Sequence, residues 1–368
     1  MSVRNVVLIG ATGSIGRNTL RVIAAHPDKL RLVGAANRSK CADLEDVGRR
    51  FGARTLCCVE RDGEQALCAL AAMPEADIVV MAAGGTVCLR PTLAAIEAGK
   101  TIALASKEVL VMAGAFVMES ARRNKVRILP VDSEHNAIFQ CLDGRGGKDG
   151  LKRLILTASG GPFRDASIEE MRAATPEQAL RHPNWSMGPK ISIDSATMAN
   201  KGLEMIEARW LFDVAPNQID VTIHPQSIVH SMVEFVDGSI LAQLAPPSMT
   251  FAIQHALLYP ERAPGVDAPL DMSRAMNLSF APPDPEKFRA LALARQAMQA
   301  AGSAPAVFNA ANEVAVEAFL QRRIPFLAIT SVIEQTLCSV CATQPGSLDE
   351  LIEADAEARR AARSMLDR

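Results

Sequence analysis

The chain has 368 residues, enough for two or three domains with a sizeable core. Its 39 basic and 41 acidic side chains nearly cancel, which argues against nucleic acid or an anionic membrane surface as the main partner. No stretch approaches the roughly 20 apolar residues of a membrane span, and the chain opens directly in a predicted strand, so a cytoplasmic protein without signal or transit peptide is expected.

That first strand, Val3–Ile9, carries the apolar run Val6 to Ile9 of a buried parallel strand. It leads into Gly10-Ala11-Thr12-Gly13-Ser14-Ile15-Gly16 and then an amphipathic helix with Leu20, Val22 and Ile23. Gly10 allows a tight turn, Gly13 lets the backbone approach a pyrophosphate, and Gly16 lets the helix pack close to the sheet. The helix N-terminus then offers N–H groups to the phosphates. The spacing is G-x-x-G-x-x-G rather than G-x-G-x-x-G, but the flanking strand and helix predict a dinucleotide site.

Further strands are predicted at Leu30–Ala35, Thr55–Val59, Ile78–Met81, Thr101–Leu104 and Val126–Val131, with helical patterns between most of them. This alternation predicts an α/β fold with a doubly wound, Rossmann-like parallel sheet. The acid expected roughly 20 residues past the glycines, to hold a ribose 2′-OH, is absent. The second strand ends instead in Ala36-Asn37-Arg38-Ser39-Lys40, whose cations and small polar groups suit a 2′-phosphate and so point to NADP. A solvated basic turn is the plainer alternative. The fifth strand ends in Ala105-Ser106-Lys107-Glu108, which puts Lys107 within reach of a reacting centre.

The eight cysteines include no zinc spacing, so buried thiols are expected, with Cys338 and Cys341 in a helix core. His26, before Pro27, reads as a surface residue.

After the flexible stretch 144–150, Leu154–Thr157 and Ile219–Ile223 read as strands, and Ser231–Phe235 with Ser239–Leu244 as a hairpin around Asp237-Gly238. Ser167 with Glu170, and Thr175 with Gln178, are capping boxes. The stretch 260–285 holds six prolines and reads as an inter-domain linker, followed by a C-terminal helical bundle. Its last helix is expected to bury Leu351, Ala354, Ala358, Ala361 and Met365.

The strand Val126–Val131 ends in Asp132-Ser133-Glu134-His135. Two carboxylates at i and i+2 leave the strand on the same side, and hard oxygens suit Mg²⁺ or Mn²⁺. A helix N-cap is the alternative, and both readings are compatible. A further ligand is expected from Ile193 to Trp210, where Ser195, Asn200 and Lys201 are phosphate-type donors and Glu204 shares the helix face of Lys201, with Glu207 as its rival; an ordinary surface helix with salt bridges is the alternative. Thr157-Ala158-Ser159-Gly160-Gly161 offers close approach to an anion. The stretch 181–189, with His182, Trp185 and Gly188, reads as a lid.

Together, GATGSIG, ALASKE, LPVDSEHNAIFQ, ASGGPFR, RHPNWSMGPKISIDSATMANKGLE, IHPQSIVHSM and FNAANEVAV resemble the 1-deoxy-D-xylulose 5-phosphate reductoisomerase family. The resemblance implies an NADPH-dependent, divalent-metal-dependent, homodimeric enzyme that makes 2-C-methyl-D-erythritol 4-phosphate for isoprenoid synthesis. It places the metal on Asp132, Glu134 and Glu204, and the substrate phosphate on Ser159, Ser195, Asn200 and Lys201, with His182 and Trp185 from the lid. Ser133 and Lys107 fall at substrate contacts. The cofactor falls on Thr12, Gly13, Ser14, Ile15, Asn37 and Glu108, with Gly188 from the lid, and the expected cofactor set adds Gly10, Ala35, Ala36, Arg38 and Ser106 beside them. The family pattern carries Gly-Ser-Thr-Gly in many members where Ala11 stands here, and Gly-Lys-Asn in some where Ala35-Ala36-Asn37 stands. The implied division is a cofactor domain over 1–131, a catalytic domain over 132–259, a linker over 260–284 and a helical domain over 285–368. A metal-free semialdehyde dehydrogenase and an NADP-sensing regulator are the alternatives; neither needs the Asp-Ser-Glu carboxylates.

Overall fold

A computed structural model describes residues 3–143, 150–185 and 187–366. The stretch 144–149 and Ser186 of the expected lid lie outside the described residues. The chain forms two compact units, Met1–Val109 with Gly114–Gln140 and Ser248–Ser273, and Leu110–Ala113 with Cys141–Pro247 and Arg274–Arg368.

The first unit holds strands β1 (Arg4–Ile9), β2 (Leu30–Asn37), β3 (Thr55–Cys58), β4 (Ile78–Met81), β5 (Thr101–Leu104) and β6 (Ile128–Pro130). They form one sheet in the order β3-β2-β1-β4-β5-β6, with every pair parallel. This is the predicted doubly wound sheet. The order reverses between β1 and β4, and ligands bind such sheets beyond the carboxyl ends of the strands at that reversal. Every residue of β4 and the last four of β1 are buried, as strands covered on both faces must be.

The helix Met249–Leu258 belongs to this unit, although the boundary expected at 259 put it in the next domain. Ile253, Ala256, Leu257 and Leu258 join the core of Val6, Leu8, Val22 and Ile23, and Arg4 Nη1 donates to the Leu257 carbonyl at 2.7 Å. The same helix corrects the reading of His26: it is buried, and its Nε2 meets Gln254 Oε1 at 3.1 Å. The proline-rich stretch is pinned at its start, with Lys29 Nζ 2.7 Å from Glu261 and Asp267 accepting from Arg21, Ser248 and Thr250.

The thiol expectation also needs correction. Cys41 and Cys58 are disulfide-bonded, tying the start of the helix Cys41–Phe51 to the end of β3. Cys338 and Cys341 are exposed, because the helix Ala328–Ser339 turns Val332, Ile333 and Thr336 inward instead.

The second unit is built on β7 (Leu151–Ala158), β8 (Ile219–Ile223), β9 (Val229–Phe235) and β10 (Ile240–Leu244), in the order β10-β9-β7-β8. The β9–β10 hairpin turns at Gly238, whose φ of +86° suits glycine. Both capping boxes form as predicted. Helices Arg289–Ala300, Ala304–Leu320, Ala328–Ser339 and Leu348–Leu366 complete the unit. A Cβ on Gly202 would lie 2.6 Å from Ala294 Cβ, so this glycine sets how closely the helix Ala199–Phe212 packs on Arg289–Ala300. The last helix buries Leu351 and Ala358 as expected, with Ala354, Ala361 and Met365 half-buried and Ala361 packed against the same core. Asp355 and Ala362 are buried as well, and Arg359 neutralises Asp355 at 2.7 Å. Among the described residues, no helix is long and apolar enough to cross a membrane.

Candidate active site

At the end of β1, the glycines have distinct physical reasons. Gly10 has φ +91°, and a Cβ there would stand 2.6 Å from the Ala82 carbonyl carbon. A Cβ on Gly16 would stand 2.2 Å from the Gly10 carbonyl oxygen, so the helix Ser14–Ala25 reaches this close only with glycine. A Cβ on Gly13 meets nothing nearer than 3.4 Å, and Gly13 and Ser14 are exposed. Thr12 and Ile15 flank them, half-buried. No side chain caps this helix and no acid occupies its first turn, which leaves its positive end to an anion.

The Ala36 carbonyl accepts from Gly10 N at 2.8 Å and Ala11 N at 2.9 Å, so wholly buried Ala35 and Ala36 brace the turn through backbone. Asn37 Nδ2 closes the next turn on the Lys40 carbonyl at 2.6 Å. Arg38 is 85% exposed and meets Glu60 at 3.3 Å. An exposed pair of this kind is worth little and yields readily to a stronger anion. Arg38→Ala is therefore expected to raise the KM for NADPH more than that for NADH. Equal effects on the two cofactors would remove Arg38 from the 2′-phosphate.

The neighbouring ends of β5 and β6 bring the next group together. Ser106 N donates to the Met81 carbonyl at 3.0 Å, and its hydroxyl lies 3.2 Å from the Gly85 carbonyl and 3.4 Å from Glu108 Oε2. Lys107 Nζ reaches Asp132 Oδ2 at 3.0 Å, with both side chains largely buried. Asp132 Oδ1 accepts from Glu134 N at 3.1 Å and lies 3.1 Å from His135 Nδ1. Asp132 thus caps the helix Ser133–Leu142 while keeping its carboxylate beside Lys107. Ser133 Oγ donates to Glu134 Oε2 at 2.5 Å. The cap reading holds, and hard oxygens with hydrogen-bonded support are of the kind that suits a small divalent cation. The buried His135 was not singled out from sequence, since nothing in a one-turn spacing says which way an imidazole will point.

In the second unit, β7 ends in the loop carrying Ser159. Gly161 has φ +65°, and a Cβ there would lie 2.7 Å from the Ser195 carbonyl oxygen, so the loop is pressed against the helix Pro189–Thr197. Ser159 Oγ lies 2.9 Å from His182 Nε2. His182 Nδ1 accepts from Asn184 N at 3.2 Å and Trp185 N at 3.0 Å, which fixes a neutral ring with its proton on Nε2. Burial, reinforced by the charge of Lys201, pushes the His182 pKa down to about 4. Asn184 anchors the stretch to the Pro225 carbonyl and Ser227 Oγ, a role the sequence pattern did not disclose. Trp185 is half-buried, 6.2 Å from the His230 ring, and Gly188 is exposed.

A left-handed Met198 joins the helices Pro189–Thr197 and Ala199–Phe212. The second carries Asn200, Lys201 and Glu204 on one face. Glu204 is 1% exposed and accepts from Asn200 Nδ2 at 2.5 Å and from Lys201 Nζ. Glu207 is fully buried one turn on. Ser159 and His182 are joined by a hydrogen bond within the influence of the Lys201 charge, and donors of this kind suit a phosphate.

Neutral His182 has a consequence for stability. The unfolded chain takes up its proton near 6.5, the folded chain only near 4. Stability is therefore lost as pH falls through that window. Chemical denaturation across the window is expected to show this slope, and His182→Gln to flatten it; an unchanged slope would assign it to other groups.

Family models for 1-deoxy-D-xylulose 5-phosphate reductoisomerase match residues 6–63 and 60–114, and models of its C-terminal domains match 128–212 and 244–361. The chain is 49% identical over 391 residues to the 1-deoxy-D-xylulose 5-phosphate reductoisomerase of Pseudomonas putida (strain W619), covering 100% of this chain and 99% of the relative. Among solved structures, the reductoisomerase of Zymomonas mobilis in complex with NADPH is 42% identical with a TM-score of 0.92, over 99% of each chain. A DOX-P reductoisomerase in complex with NADPH, fosmidomycin and magnesium is 41% identical with a TM-score of 0.92, over 99% of this chain and 98% of the other. The chain belongs to the 1-deoxy-D-xylulose 5-phosphate reductoisomerase family.

Proposed function

We infer that the chain converts 1-deoxy-D-xylulose 5-phosphate to 2-C-methyl-D-erythritol 4-phosphate, using NADPH and a divalent cation. The observation that carries this reading is the 49% identity, over the full length of both chains, to a curated reductoisomerase. The cofactor lies along Gly10, Thr12, Gly13, Ser14 and Ile15, with Ala35, Ala36, Asn37 and Arg38 toward the adenosine end and Ser106, Glu108 and Gly188 toward the nicotinamide. When bound, Mg²⁺ or Mn²⁺ polarises the substrate oxygens and NADPH supplies the hydride. Asp132, Glu134 and Glu204 are the metal ligands.

Ser159, His182, Ser195, Asn200 and Lys201 take the phosphate. Its binding energy orients the reacting end of the sugar. His182 donates through Nε2 without carrying a charge. Lys107 holds Asp132 and, with Ser133, faces the substrate hydroxyls. The stretch 181–189 closes over the substrate through Trp185 and excludes water. In this reading, 1–131 serves the cofactor, 132–259 the chemistry and 285–368 support, joined by 260–284, in the cytoplasm.

The protein works as a homodimer. Edge strand β10 exposes Ile240 and Leu244 beside Val236, an apolar row that an isolated sheet edge would not carry safely. Light scattering is expected to give twice the chain mass, and Ile240→Asp half of that; a monomeric parent would contradict the assignment.

Product analysis tests the function. Carbon-13 spectra of the reaction with NADPH should show the branched skeleton of the methylerythritol phosphate. Reduction without branching would overturn the reading.

A further inference from the structure

The segment Phe308 to Val316 matched the family by sequence, yet none of its residues enters the chemistry above. It lies on the helix Ala304–Leu320, which is buried along almost its whole length. Amid that apolar surface Asn312 is fully buried, a costly place for an amide without a task. Its Nδ2 donates to Asp194 Oδ1 at 2.8 Å. Asp194 is 1% exposed, and its Oδ2 lies 2.9 Å from Lys190 Nζ.

Asp194 therefore ties three things together. Asn312 holds it to the C-terminal helices. Lys190 is the second residue of the helix that leads out of the 181–189 stretch. Ser195, the next residue, has its carbonyl pressed against Gly161. A buried carboxylate of this kind is seldom the cheapest way to fill a core, since an apolar pair often serves stability as well. What it adds is a fixed position, and a phosphate site loses binding when its donors shift by a fraction of an ångström.

We propose that Asn312, acting through Asp194, is a positioning residue for the substrate phosphate: it sets the helix that carries Ser195 and the base of the 181–189 stretch. This rests on the phosphate assignment made above. Asn312→Ala leaves the Asp194 carboxylate without its amide donor.

The test is steady-state kinetics on the full-length protein with both substrates, with inorganic phosphate as a competitive probe. Asn312→Ala is expected to raise the KM for the sugar phosphate and the inhibition constant of inorganic phosphate together, by roughly tenfold, as loss of a hydrogen bond to a charged group implies. The turnover number should stay within about threefold and the KM for NADPH should not move. The exchange Asp194→Asn with Asn312→Asp, which restores one amide and one carboxylate, should recover part of the loss. A fall in turnover with both KM values unchanged would mean that Asn312 only supports folding, and would overturn the proposal. If Asn312→Ala does not fold, Lys190→Met decides: a raised KM for the sugar phosphate supports the proposal, an unchanged one contradicts it. Ser195→Ala separates the two levels. If it raises that KM while the Asp194 variants do not, the positioning role alone fails. If it does not, the phosphate assignment itself fails.

Discussion

Glu134→Gln is expected to lower turnover on the order of a thousandfold while leaving NADPH affinity nearly intact, because loss of the proposed metal ligand would remove transition-state stabilisation. The substitution is nearly isosteric. Glu134 N keeps its bond to Asp132 Oδ1, so the helix Ser133–Leu142 keeps its cap, and the amide still accepts from Ser133 Oγ. What disappears is one negative charge from a set of hard oxygens. The residues proposed for the cofactor, from the glycine turn to the Asn37-Arg38 turn, do not include Glu134. Fluorescence titration with NADPH and steady-state assays separate the two effects. Unchanged turnover would remove Glu134 from the metal site.

Lys201→Met is expected to damage both stability and catalysis. Lys201 and Glu204 are almost wholly buried partners, and breaking a buried pair from one side costs roughly 3–5 kcal/mol. Asn200 still donates to Glu204, which places the expected loss near the lower figure. If Lys201 donates to the phosphate as proposed, its removal should also lower kcat/KM for the sugar phosphate by roughly a hundredfold. Urea denaturation measures the first and initial rates the second. A destabilised variant with an unaltered KM for the sugar phosphate would show that Lys201 serves only Glu204.

The charge of Lys201 also accounts for part of the unusual state of His182. In the proposed phosphate site, a neutral imidazole beside an ammonium would leave one strong charge and several oriented donors. Such a site recognises a dianion without gathering so many cations that the empty pocket repels itself.

Much of the fold was legible because its signals are local. β4, β5 and β8 begin and end where their apolar runs do. The capping boxes at Ser167 and Thr175 formed because each needs only four consecutive residues. Local signals failed where a distant element decided the outcome. Met249–Leu258 is apolar around most of its surface, so its sequence gave no hint of which sheet would cover it. His26 looked superficial until Gln254 arrived beside it. In the C-terminal helix the apolar pattern marks Leu351 and Ala358 but not buried Asp355, which Arg359 neutralises, an arrangement that a hydrophobic pattern does not encode.

The candidate site divides in the same way. Motif residues such as Ser159, Asn200 and Lys201 could be named from order and spacing. Their mutual engagement could not. Nothing in sequence says that Lys201 and Asn200 both turn onto Glu204, that His182 is held neutral by two backbone amides, or that Asn312 reaches Asp194 across 118 positions.

The central claim is a metal-dependent, NADPH-driven conversion of a deoxyxylulose phosphate, and NADPH absorbance measures it most directly. With 1-deoxy-D-xylulose 5-phosphate and Mg²⁺ or Mn²⁺, absorbance should fall, stop on addition of a chelator and resume when excess cation is restored. Consumption that continues through the chelator, or no consumption with either cation, would contradict it.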